Sequence, residues 1–154
     1  MGNICRSPSA EGVFAQLVER EGCAAWIEID SAGTHGYHVG EQADPRSLKA
    51  ALSRGVDISA HRARQVSKQD FEGYDYILAM DQDNHDLLMS RCPVEYREKV
   101  QLFLEFAPHL PTREVPDPYY GGHKGFEHVL DLVEAASIGL LEAIRQRVAQ
   151  ASNA

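Results

Sequence analysis

Apolar residues at Ala10, Val13, Phe14, Leu17 and Val18 recur with the spacing of one helical face, behind a start marked by Ser7 as cap and Pro8 at the first helical position. That pattern predicts a helix with one buried side. After Gly22 the run Trp26-Ile27-Glu28-Ile29 alternates like a half-buried strand and passes into a small, polar loop, Asp30-Ser31-Ala32-Gly33-Thr34, which Gly36 and Gly40 prolong. Asp44-Pro45 offers a second cap and first-turn proline, with Leu48, Ala51 and Leu52 on one face and Gly55 placed to end the helix. Ser67 and Asp70 form a helix-start box, with Asp where Glu or Gln is usual. Residues 74–80 predict a strand ending at Asp81, which can cap the following helix, and residues 100–103 predict a shorter one. From Phe126, the positions Val129, Leu130, Val133, Leu140, Leu141, Ile144 and Val148 trace a long amphipathic helix, with small Ser137 on the same face.

Helices alternating with short apolar strands predict an α/β fold with a mostly parallel sheet, whose ligands gather at the carboxyl ends of the strands. The length of 154 residues suits one domain spanning residues 1–154, unbroken by linker, repeat or low-complexity tract. Charge narrows the function: 15 Lys+Arg against 23 Asp+Glu give a net −8, with no basic patch to hold a nucleic-acid backbone. No apolar run approaches the ~18 residues of a membrane span. Three cysteines, an odd number without framework spacing, fit a reducing, cytoplasmic setting. The histidine pairs His35/His38 and His123/His128 lie near glycines without a Cys or carboxylate cluster, so neither a metal nor any other cofactor is expected.

Two segments carry chemistry. Gly2-Asn3 takes left-handed backbone angles at low cost, so the N–H groups from Gly2 through Asn3, Ile4, Cys5 and Arg6 to Ser7 can curl into an anion nest at the start of the first helix. The helix terminus favours a phosphate-like anion there, and Arg6 offers a planar fork for two oxygens. The plain alternative is an ordinary helix start with a surface arginine. The second segment is Asp117-Pro118-Tyr119-Tyr120-Gly121-Gly122, where partial burial beside aromatic rings would raise the Asp117 pKa and let it donate a proton to a leaving oxygen. Its plain alternative is a turn with two half-buried tyrosines.

Together these segments resemble the low-molecular-weight protein tyrosine phosphatase family. Asp30-Ser31-Ala32-Gly33-Thr34, Asp44-Pro45-Arg46, His61-Arg62-Ala63-Arg64-Gln65 and Asp75-Tyr76-Ile77-Leu78-Ala79-Met80-Asp81 match in order, and the likeness runs from Met1 to about Arg147. It implies a three-layer α/β/α fold around a parallel sheet of about four strands. The family's phosphate loop is a nucleophilic Cys, five residues, then Arg and Ser or Thr; here Met1, Gly2, Asn3, Ile4 and Cys5 are the five, followed by Arg6 and Ser7. The nucleophile therefore belongs directly before Met1. The expectation is a chain whose start lies one residue after its nucleophile, without the first strand, and inactive as written. An internal Met taken for the start explains this economically, since the family tolerates Met at that position.

For a complete enzyme the resemblance implies hydrolysis of phosphotyrosine or a small aryl phosphate through a cysteinyl phosphate, with inorganic phosphate as product. Arg6 and the loop N–H groups would hold the equatorial oxygens, and Asp117 would be the general acid. Ser7 would hydrogen-bond the departing thiolate. Asn3, Ser31 and His61 would brace the loop from behind, and Tyr37, Tyr119 and Tyr120 would line the aryl slot. Cys5 would point away from the phosphate, as the family's redox partner of the nucleophile. The alternatives are a pseudophosphatase that binds phosphate or phosphotyrosine without turnover and, more remotely, an arsenate reductase, for which Cys23 and Cys92 offer no close pair.

Overall fold

The computed structural model describes residues 2–119 and 122–152, with the backbone alone for His123. Along the chain run α1 (Arg6–Arg20), α2 (Pro45–Ser53), α3 (Lys68–Gly73), β1 (Ile77–Ala79), α4 (Gln82–Arg91), β2 (Val100–Leu102) and α5 (His123–Ser152), with 3-10 turns at Val94–Lys99 and Phe103–Phe106. β1 and β2 pair in parallel, Ile77 opposite Val100 and Ala79 opposite Leu102.

Alternation along β1 separates two layers of packing. Leu78 and Met80 join the larger core, built on the buried faces of α1 and α5, whereas Ile77 and Ala79 join Phe71, Leu88, Cys92, Val100 and Leu102. So α1, α2 and α5 cover one face of the sheet and α4 the other, an α/β/α arrangement. No helix among the described residues is long and apolar enough to cross a membrane.

Local signals place the ends of the elements. Asp44 accepts from the Arg46 N–H at 2.8 Å with Pro45 opening α2, and Gly55, at φ +79°, follows its end. Asp70 reaches back to the Ser67 N–H at 2.7 Å, and Asp81 caps α4 through the Asn84 N–H at 2.8 Å. Asp81 therefore sits where β1 delivers it, at the carboxyl end of the sheet. α1 starts two residues earlier than the Ser7 signal indicates: Cys5 is its cap position, without a side-chain cap bond, and Ser7 and Pro8 lie in the first turn. Leu52 and Val148, expected on buried faces, are exposed. α5 opens three residues before Phe126, so its apolar stripe starts one turn in.

The sheet is smaller than expected. Among the described residues it has two strands rather than about four, with one isolated parallel bridge between Gly33 and Gln65. Trp26 to Ile29 keep the alternating exposure of a strand but form no ladder. The physical reason lies beside them: an apolar cavity of about 640 Å³ separates this segment from β1, lined by Phe14, Ile27, Ile29, Leu78, Leu140 and Ile144. With no strand in that space, β1 pairs along one edge only and Trp26 to Ile29 have no neighbour to bond.

Candidate active site

The N-terminal loop is held by its one left-handed residue, Asn3, at φ +63°. An asparagine tolerates that region better than most residues because its side chain can bond locally. Here every polar group of the side chain is used: Nδ2 donates to Ser7 Oγ at 2.7 Å and Ser31 Oγ at 3.0 Å, and Oδ1 accepts from the Arg64 N–H at 3.0 Å. The Asn3 carbonyl accepts from His61 Nε2 at 2.8 Å, which fixes the proton on that nitrogen. Ser31 in turn donates to Glu11 Oε1 at 2.5 Å. Asn3, Ser31 and His61 thus lie together behind the loop.

The loop's own N–H groups point elsewhere than into the fold's hydrogen-bond network. From Gly2 to Ser7 none of them has a partner among the described residues, although Asn3, Ile4, Cys5 and Arg6 are buried. A run of N–H groups without partners at a helix start is an arrangement that can hold an anion.

Arg6 is 4% exposed, and one of its terminal nitrogens is fully committed. Nη1 donates to Asp81 Oδ2 at 2.6 Å and to the Val115 carbonyl at 2.8 Å, while Nε has no partner among the described residues. Nη2 also donates to Asn84 Oδ1 at 3.5 Å, so the guanidinium is anchored through both terminal nitrogens and Nε is left to meet an acceptor. Burial works to raise the Asp81 carboxyl, but the Asn84 N–H and Arg6 outweigh it and hold its pKa below the ordinary carboxylate value.

Cys5 faces the other way. Burial, then the negative charge of Asp44, push its thiol up to about 11, with Asp117 adding in the same direction and a hydrogen bond to Ser47 opposing. A thiol so shifted is neutral at pH 7 and a poor nucleophile. The backbone of the Asp117 segment reaches the loop two residues earlier, where the Val115 carbonyl accepts from Arg6. Asp117 itself is exposed, so the burial expected beside aromatic rings is not found; its Oδ1 accepts from the Tyr119 N–H at 3.0 Å. The absence of regular structure across residues 115–118 leaves the carboxylate at the surface.

Tyr119 is 38% exposed and Tyr37 73%. Tyr37 stacks on His35 with ring centroids 5.1 Å apart, and the neighbouring His38 ring packs on Gly2, which brings this loop to the rim of the N-terminal one. Met1, Tyr120 and Gly121 lie outside the described residues. Sequence reading missed Asp81, Arg64 and Glu11 as parts of the site. Asp81 was legible only as a helix cap, because nothing local shows that β1 ends beside the start of α1.

Comparison with known proteins gives the family. The profile described as low molecular weight phosphotyrosine protein phosphatase matches residues 1–150. A putative low molecular weight protein-tyrosine-phosphatase of Synechocystis sp. is 44% identical over 145 residues, 94% of this chain and 92% of the relative. A low molecular weight protein-tyrosine-phosphatase of Streptomyces coelicolor is 45% identical over 150 residues, 96% and 91% of the two chains. The crystal structure of a protein tyrosine phosphatase from Entamoeba histolytica with Hepes in the active site superposes with a TM-score of 0.92 at 43% identity, covering 95% of this chain and 93% of that one. The chain belongs to the low molecular weight phosphotyrosine protein phosphatase family.

Proposed function

We propose that residues 2–7 and Arg6 hold the phosphate of a phosphotyrosine or small aryl phosphate, and that a cysteine directly before Met1 attacks it. The observation that carries this reading is the run of N–H groups from Gly2 to Ser7 without a partner among the described residues, beside a guanidinium whose Nε is uncommitted. The sulfur of that cysteine forms a bond to phosphorus while the phosphorus–phenol oxygen bond breaks. Asp117 gives its proton to the departing oxygen, then accepts one from the water that attacks the cysteinyl phosphate and releases inorganic phosphate. Arg6 and the loop N–H groups stabilise charge on the equatorial oxygens. Ser7, whose hydroxyl accepts from Asn3, is left with its own proton to donate to the thiolate. Tyr37 and Tyr119, with Tyr120, supply the rings that flank the substrate phenol.

Cys5 does not fill the nucleophile's place. It adjoins Arg6 directly instead of being separated from it by five residues, and its thiol is held neutral. The cavity between β1 and the Trp26 segment supports this reading as the place for one further parallel strand, which would lead into the loop and add apolar side chains to the core. Residues 1–154 alone then bind phosphate without turning it over, the pseudophosphatase behaviour. An arsenate reductase finds no support, since Cys23 and Cys92 lie in separate clusters of the core. The three free, buried thiols suit a reducing cytoplasm.

The test is hydrolysis of p-nitrophenyl phosphate by three purified proteins: residues 1–154, the same chain with C5S, and a form extended upstream by an apolar strand ending in cysteine. Turnover by the extended form alone is expected. Turnover by residues 1–154 that is lost in C5S contradicts the proposed nucleophile.

A further inference from the structure

The Asp117 segment has no regular structure, yet a general acid must meet its oxygen within hydrogen-bond reach. Two ties hold the segment. Upstream, the Val115 N–H donates to the Met80 carbonyl at 2.8 Å and the Val115 carbonyl accepts from Arg6, which joins the acid's backbone to the phosphate-binding arginine. Downstream, the tie is a side chain from α2. Arg46 is fixed by Asp44 through three bonds, its N–H and Nε to Oδ1 at 2.8 and 3.1 Å and Nη2 to Oδ2 at 2.9 Å. The Asp44 N–H donates to the Ile4 carbonyl at 2.8 Å, so this pair is seated on the N-terminal loop itself. The guanidinium carbon then lies 5.3 Å from the centre of the Tyr119 ring and 4.8 Å from that of Phe126, which is buried at the start of α5. Tyr119 carries the N–H that holds Asp117 Oδ1.

We propose that Arg46 is a positioning residue for the acid, locking the Asp117 segment to the phosphate loop by packing the Tyr119 ring against a guanidinium that Asp44 holds on Ile4. A flat cation held along one edge by a carboxylate presents its face to an aromatic ring at little entropic cost, and a lysine cannot reproduce that geometry. The inference rests on the reading of Asp117 as the acid.

The consequence is confined to the step that the acid serves. Protonation matters most for a poor leaving group and least for a good one, so R46M in the upstream-extended enzyme should lower kcat for phenyl phosphate about tenfold to a hundredfold, part of the ~10²–10⁴ that a positioned acid contributes. The same variant should leave kcat for 2,4-dinitrophenyl phosphate within about threefold, on the same principle, and R46K should fall between R46M and the parent. Hydrogen exchange of residues 115–119 in the 154-residue chain should quicken in R46M while that of α1 and α5 does not. An equal loss on both substrates, or no loss, overturns the inference. D117N is the control that separates the two ideas: if D117N itself shows no dependence on leaving group, the acid assignment fails; if D117N shows it and R46M does not, only the role of Arg46 fails.

Discussion

At the scale of single residues, Asn3 concentrates the most structural information. It combines a left-handed backbone with three side-chain hydrogen bonds, so two substitutions divide its contributions. N3G keeps the backbone angle and loses the bonds; N3A loses both and should be less stable than N3G by about 1 kcal/mol, measured by urea unfolding. Both should weaken phosphate binding, because Ser7 and Ser31 then lose the amide that ties them to the loop, while the His61 bond to the residue 3 carbonyl remains. The Gly-Asn pair made this loop legible in the sequence, since few residues take such angles cheaply. Asp117 was legible as a carboxylate next to proline and tyrosines, but its exposure was not, because burial depends on what α2 and α5 bring beside it. Cys5 shows the same limit from the other side: counting residues to Arg6 indicates that it is out of register, while only the packing reveals the thiol pushed up to about 11. Iodoacetamide at pH 7.5 should therefore leave Cys5 unmodified in the folded chain, read by mass spectrometry, and modify it in urea.

At the scale of elements, Asp81 joins the end of β1, the start of α4 and the start of α1. Its partner Arg6 has a side chain only 3% exposed, so removing the carboxylate strands a buried charge. D81A should cost about 3–5 kcal/mol, as expected for one half of a buried pair, and D81N less, since the amide oxygen still accepts the Asn84 N–H. Folded-state pKa values held below their ordinary range make stability pH-dependent in a fixed direction. For Asp44, Asp70 and Asp81, burial works to raise the pKa and the hydrogen bonds around each outweigh it. Their stabilisation is present above the unfolded value of about 4 and is lost as pH falls through the folded value. Acid unfolding followed by circular dichroism should begin below about pH 4, with a shallower dependence in D81N. Helix faces were legible in the sequence wherever periodicity was long, as in α1 and α5. The strand at Trp26 was not, because a strand exists only with a neighbour, and alternation says nothing about whether one is there.

At the scale of the whole molecule, α5 closes one side of the sheet and Gly139 sets how near it lies. A Cβ at Gly139 would collide with the Phe106 carbonyl, so G139A must push α5 away from the 3-10 turn after β2. The expected loss is about 1–3 kcal/mol, seen as a lower urea midpoint with an unchanged slope. Arg54 straps the end of α2 to α5 through Glu127, Asp131 and Glu134. The layered α/β plan was legible from alternating helix and strand signals. The width of the sheet was not, because it is decided by what occupies the 640 Å³ between β1 and the Trp26 segment. That space connects fold and chemistry in the proposal above, where an upstream strand would occupy it and deliver a cysteine to the N-terminal loop.

The most direct measurement follows the phosphorus. D117N in the upstream-extended enzyme, mixed with p-nitrophenyl phosphate and quenched in acid, should accumulate a cysteinyl phosphate that peptide mapping can locate. The expected position is the cysteine directly before Met1. Phosphate found on Cys5 would contradict the central claim.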